Sequence, residues 1–143
     1  HLFVGESDIS TNRAGTRWLE NYIAPFGYEV HPMQMKGGIL HLLGIMVLIR
    51  EGLLLLYRDE LDCHLPDTLS EWEVIELTES EAKGYATVGV SLDDSRYIMP
   101  SGLGRVAEEL SRRGIEPIEI DFDQVSYWGG CISCSTHAVS RDT

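Results

Sequence analysis

Apolar and polar positions along this chain change period in an order that repeats. His1-Leu2-Phe3-Val4 opens on an apolar run that reads as a strand. Trp18, Leu19, Tyr22 and Ile23 then recur at helical spacing and predict an amphipathic helix from about Asn12 to Ala24, capped by Ser10 or Thr11. Residues 26–33 read as a strand. Gly44 to Ile49 and Leu53 to Tyr57 predict a strand pair that turns at Glu51-Gly52. Pro66 to Ser70 offers a short turn of helix at best, and residues 71–77 return to alternation. A second strand pair is expected from Ala86 to Leu92 and Tyr97 to Met99 across Asp93-Asp94-Ser95, followed by a helix from about Leu103 to Arg112 with Gly114 as the glycine just past its end. Ile115-Glu116-Pro117-Ile118-Glu119-Ile120 alternates apolar and acidic residues, the mark of a last strand.

Three of these strands share one form, an aromatic or aliphatic residue, a glutamate, then alternation. Aligning Tyr28, Trp72 and Ile115 gives intervals of 44 and 43 residues, so a supersecondary unit of a helix and about three short strands is used repeatedly. Such units bury their apolar faces against neighbours, in a closed ring or a stack. Three are few for a ring, and the chain opens in mid-strand. Either it is a fragment or it completes its architecture by pairing with another copy, so a homo-oligomer joined through open edges is expected.

With 143 residues the chain is one domain, 1–143, and its 43% hydrophobic content suffices for a core. The longest apolar run, Leu42 to Ile49, is too short to span a bilayer, and no basic stretch precedes an apolar one at the start. Three cysteines without framework spacing suit a reducing compartment, the cytoplasm. A net charge of −12 opposes binding to nucleic acid or an anionic membrane and steers small cations inward.

Candidate chemistry concentrates in Tyr127-Trp128-Gly129-Gly130-Cys131-Ile132-Ser133-Cys134-Ser135-Thr136, where a thiol follows a glycine-loosened turn at the end of a strand. Gly129 and Gly130 allow positive φ and close approach to a ligand. Three readings compete. A thiol there can be a nucleophile once its proton is taken. Both cysteines can instead be small buried hydrophobes. Cys131-x-x-Cys134 also has the spacing of a redox pair or half a zinc site with His137, although only nine residues follow Cys134 and Cys63-His64 is a poor second pair. We rank them in that order.

Beside these residues the chain resembles the guanidino-group-modifying superfamily: the amidinotransferases, dimethylarginine dimethylaminohydrolases and arginine deiminases. Gly129 to Thr136 is similar to the family's G-G-G-x-x-C-x-T, which maps the nucleophile onto Cys134 and leaves Cys131 at the third glycine. Val4-Gly5-Glu6-Ser7 and Thr11-Asn12-Arg13-Ala14-Gly15 resemble the strand, G-x-S and R-T-N-x-x-G segments, with Ser10 in place of the arginine. Leu40-His41-Leu42 resembles the segment that carries the family's catalytic histidine, with Leu43 where an acid often stands. Glu81-Ala82 and Met99-Pro100-Ser101-Gly102 also match family patterns.

The resemblance implies a pentein-type α/β propeller, here about three ββαβ units of a pseudo-fivefold ring from the C-terminal part of the fold. It implies Cys134 attacking a guanidinium carbon and His41 moving protons, with an arginine- or methylarginine-type substrate and no cofactor or metal. A cationic, resonance-stabilised carbon needs such a soft nucleophile, an acid for the departing amine, and carboxylates to fix the cation. Water as acceptor gives hydrolysis, and an amine gives amidino transfer. The family's carboxylates come largely from an upstream E-G-G-D-like stretch that these residues lack, so Glu6 and Asp8 are the local candidates for substrate binding, beside Gly129 and Gly130. Asp93, Asp121 and Asp123 read as solvated turns and faces, and His31, His64 and His137 as surface or packing residues. The rival is a catalytically silent remnant that binds a cationic ligand or a protein partner.

Overall fold

Three small sheets and four helices make up the computed structural model, which describes residues 1–139. The first sheet pairs β1 (Leu2–Glu6) in parallel with β2 (Val30–Gln34), joined by helix α1 (Arg13–Ile23). The second pairs β3 (Met46–Arg50) antiparallel with β4 (Leu53–Leu56), and β4 in parallel with β5 (Glu73–Glu76). The third repeats that plan with β6 (Val90–Asp93), β7 (Arg96–Pro100) and β8 (Glu116–Ile120). Helix α2 (Glu79–Lys83) precedes it, α3 (Gly104–Arg112) lies between β7 and β8, and α4 (Asp123–Ser126) follows. The closing strands β2, β5 and β8 begin at residues 30, 73 and 116, a constant 43-residue step that carries the predicted repeat into three dimensions.

The core is organised by β4. Alternation sends Leu53 and Leu55 into a cluster with Ile75, Tyr97, Met99, Val106 and Leu110, and Leu54 and Leu56 into a second with Met33, Met35, Ile45 and Met46. All four leucines are at most 1% exposed, so this strand is buried on both faces and fuses the two clusters. Gly52, at φ +80°, makes the turn that enters it.

Helix α1 departs from the expected pattern. Asn12 caps it, its Oδ1 accepting from the Ala14 and Gly15 amides at 3.1 Å, whereas the Ser10 hydroxyl is engaged with Ser7. Leu19 and Ile23 are half-buried, but Trp18 and Tyr22 stack outward at 66% and 61% exposure. The sheet beneath has only two strands and cannot cover so broad an apolar face. Residues 86–89, expected to start a strand, form instead a buried strap before β6. Helices α2 and α4 were not expected.

Candidate active site

Cys134 sits on the 3-10 turn Ser133–Ser135, and a small network fixes that turn. The Ser133 amide donates to the Val88 carbonyl at 3.0 Å, and its hydroxyl reaches the Val88 and Gly89 carbonyls at 2.6 and 3.0 Å. Ser135 and Thr136 hydroxyls donate back to the Cys131 and Ile132 carbonyls, closing the turn on itself. Ile132 and Cys131 are buried beneath it, which leaves Cys134 exposed.

The strap that receives Ser133 is itself held from below. Tyr97, fully buried on β7, accepts the Gly89 amide at 3.0 Å and donates to the Ala86 carbonyl at 3.1 Å. Burial pushes the Tyr97 phenol well above its ordinary range, so it stays a neutral donor and acceptor. Gly89 is obligatory here, because a Cβ would lie 2.1 Å from the Ile98 carbonyl oxygen and 2.5 Å from the Tyr97 ring.

His41 arrives from the other side. Its backbone is extended and enters the 3-10 turn Leu42–Gly44, with the Gly44 amide donating to the His41 carbonyl at 2.9 Å. The Ser7 hydroxyl at the end of β1 donates to the Ile39 carbonyl at 2.8 Å and steadies the segment leading to it. His41 and Cys134, 93 positions apart, line one cleft of about 760 Å³. Gly38, Leu43, Ala82, Tyr85, Gly129 and Cys131 also line it.

The expected ligand-binding residues divide. Gly129 lines the cleft at φ +79°, as its place in the turn requires. Gly130 does not adopt positive φ; a Cβ there would strike Val125 at 2.6 Å, so close packing on α4 rather than ligand approach demands glycine. Glu6 is buried with its Oε1 3.7 Å from Arg13 Nη1, and it is not on the cleft wall. Asp8 lies behind the wall, its Oδ1 accepting the Gly38 amide at 3.4 Å. Among the described residues no carboxylate lines the cleft.

The thiols approach each other, Sγ to Sγ, at 3.0 Å, and burial followed by the Cys134 contact pushes the Cys131 thiol up. A buried thiol held in its neutral form is a poor nucleophile, and Cys131 is buried whereas Cys134 is exposed. His137 lines a neighbouring cavity of about 670 Å³, and among the described residues no metal-spaced group of three includes it or either of these cysteines. Among the described residues the zinc reading of this stretch finds no third ligand.

Among the wall residues that the sequence does not single out, Tyr85 stands apart by its backbone. Tyr85, just past α2, takes φ +65° at a position that usually falls to glycine, and it faces the cleft. A bulky side chain held in the left-handed region carries a backbone cost that glycine would not incur. Helix α2 places it by a capping box: Thr78 and Glu81 bond reciprocally, and the Arg105 guanidinium beside Glu81 holds that carboxyl down to about 2.

No family model matches the chain. Over 115 residues it is 29% identical to the uncharacterized protein YkgA of Bacillus subtilis, covering 80% of this chain and 40% of that protein. Over 134 residues it is 25% identical to the N(G),N(G)-dimethylarginine dimethylaminohydrolase of Pseudomonas aeruginosa, covering 94% and 50%. The chain thus spans about half the length of the curated relatives it matches. Among solved structures, SxtG, an amidinotransferase from Microseira wollei, superposes with a TM-score of 0.85 at 20% identity over 99% of this chain and 44% of that one. The Pseudomonas hydrolase in complex with citrulline gives 0.76 at 25% identity over 92% and 49%. By fold the chain matches an amidinotransferase and the Pseudomonas dimethylarginine hydrolase, and by sequence it is similar to that hydrolase over 94% of its length.

Proposed function

We propose that the cleft modifies a guanidino compound of the arginine or methylarginine type through a covalent adduct on Cys134. The observation that carries this reading is the shared cleft of Cys134 and His41, with Gly129 at its wall. The Cys134 thiolate attacks the guanidinium carbon, forming the C–S bond of a tetrahedral adduct. His41 gives a proton to the departing amine as the C–N bond breaks, leaving an amidino thioether-like cation on sulfur. It then takes a proton from water or from an acceptor amine, which adds to the same carbon and expels the thiolate. Water yields a ureido product and an amine yields a new guanidine.

The three sheets in this reading are about three modules of a five-module pentein propeller. The carboxylates that grip the guanidinium then come from outside the residues described, in the half of the relatives' length that this chain does not cover or in another copy paired through open edges. Glu6 and Asp8 act through Arg13 and Gly38, as supports behind the wall. The cysteines, with Cys134 exposed and reduced, fit the cytoplasm.

A second reading is favoured by the absence of a carboxylate on the described wall: a catalytically silent remnant that binds cations or a protein partner. Haloacetamidine labelling with peptide mapping tests the first reading. Modification is expected at Cys134, slowed by excess arginine and by His41→Asn; modification mainly at Cys131 or Cys63 overturns the assignment. Citrulline or ammonia release separates the two readings. This segment alone is expected to label without enzyme-like turnover, since an unoriented reactant loses on the order of a hundredfold from geometry.

A further inference from the structure

We propose that His1, Glu29 and His31 bind a divalent transition-metal cation of the zinc class, at a site separate from the Cys134 cleft and serving to staple the first sheet. The strand register brings the three together. Glu29 and His31 are two residues apart and project to the same side of the chain entering β2. The Leu2 amide donates to the Glu29 carbonyl at 2.8 Å and holds His1 alongside them. His1 Nδ1 lies 2.9 Å from His31 Nε2 and 3.3 Å from Glu29 Oε2, and His31 Nε2 lies 3.8 Å from Glu29 Oε1.

Those separations suit a metal. Ligands about 2.0–2.1 Å from zinc in a tetrahedron stand roughly 3.3–3.4 Å from one another; two edges, 2.9 and 3.3 Å, meet at His1 Nδ1, and one ligand atom from each of the three residues lies within 4.8 Å of the others. Two imidazole nitrogens and one carboxylate oxygen are borderline donors, which favour zinc, cobalt, nickel or copper over magnesium or calcium. A fourth position stays open to water. The site is also preorganised: the His31 ring stacks on Phe3 at 5.2 Å and 26°, and its side chain is 13% exposed. The net charge of −12 raises the local concentration of cations.

The fold supplies a use for it. The β1–β2 sheet has only two strands, and the helix packed on it, α1, contributes a single fully buried residue, Thr16. A cation tied to residues before β1 and along β2 would close the open end of that sheet. From sequence no metal is expected and His31 reads as a surface or packing residue, because these ligands meet only once the parallel register is known.

The test uses the chain without a polyhistidine tag, stripped with chelator and kept reduced. Titration with Co²⁺ alone reads the site by absorption. One equivalent with near-tetrahedral d–d bands and no thiolate-to-cobalt charge-transfer band is expected, with Zn²⁺ displacing it and raising the unfolding midpoint by about 3 °C or more. His31→Gln and Glu29→Gln should each weaken Co²⁺ binding at least about tenfold while circular dichroism stays unchanged. Absence of binding, binding that both variants retain, or a thiolate charge-transfer band would each overturn the proposal. None of these readouts depends on the chemistry at Cys134.

Discussion

Removing one oxygen atom 37 positions before Cys134 should loosen the turn that presents it. Tyr97→Phe keeps the buried ring and its packing among Ile75, Met99 and Leu110, but it deletes the hydroxyl that joins the Gly89 amide to the Ala86 carbonyl. Both backbone groups belong to buried residues, so each loses its partner out of reach of water. At about 1–2 kcal/mol for each orphaned group, the variant should lose roughly 2–4 kcal/mol. The Gly89 Cα position, already crowded by Ile98 and the Tyr97 ring, leaves little space for a compensating water. Urea unfolding measures the loss as a lower midpoint at unchanged slope. A local readout separates this from general weakening: Ser133 hangs on the Val88 and Gly89 carbonyls, so a relaxed strap should expose the buried Cys131 and raise its alkylation rate under native conditions. A loss below about 0.5 kcal/mol together with unchanged Cys131 protection would refute the claim that Tyr97 sets the turn.

Glu81, held down to about 2 by Arg105 from an ordinary value of 4.5, contributes stability that is fully present above pH 4.5 and is lost as pH falls toward 2; Glu81→Gln should flatten the unfolding midpoint across that window, and an unchanged slope would reject the pair as its source. The 3.0 Å approach of Cys131 and Cys134 predicts that peroxide oxidises one thiol to a sulfenic acid with loss of water, which the other displaces as a second water to give a disulfide. Non-reducing peptide mapping should then find the linked pair and no alkylation of Cys134 until a reductant is added. Small sheets that end on the edge strands β1, β2, β3, β5, β6 and β8, with the exposed Trp18–Tyr22 stack, predict self-association of this chain that light scattering would detect, and a strict monomer would count against the edge argument.

The 43-residue step was legible because each closing strand repeats the same alternation, and periodicity survives whatever the strands pack against. Shorter elements left no such trace. Helix α2 has five residues and α4 four, too few for a helical stripe, although Thr78-x-x-Glu81 is a readable capping box and could have announced α2. Residues 86–89 are apolar enough to pass for strand. The Ala86 and Val88 amides turn back to the Glu81 and Tyr85 carbonyls, while the Gly89 amide and the Ala86 and Val88 carbonyls go to a tyrosine hydroxyl and a serine from distant positions, which no local pattern records. Trp18 and Tyr22 misled for the opposite reason: helical spacing identifies an apolar face but not the width of the surface beneath it.

The site was legible to the extent that chemistry is confined to short motifs, and it became obscure where function depends on a three-dimensional neighbour. Cys134 and His41 each sit in a recognisable run, and both line the one cleft. Glu6 stands in an equally recognisable run, yet its carboxylate turns inward to Arg13 and Asp8 binds backbone behind the wall, because the end of β1 must secure the segment carrying His41. Tyr85 shows the reverse. Nothing in Gly84-Tyr85-Ala86 announces a ligand contact, but a tyrosine at φ +65° costs about 1–2 kcal/mol of backbone energy that glycine would not incur. Tyr85→Gly should therefore lose little or no stability in urea while weakening arginine's protection of Cys134 against haloacetamidine. If the variant instead unfolds more easily and protects Cys134 as before, the tyrosine is there for packing, and the left-handed turn says nothing about the cleft.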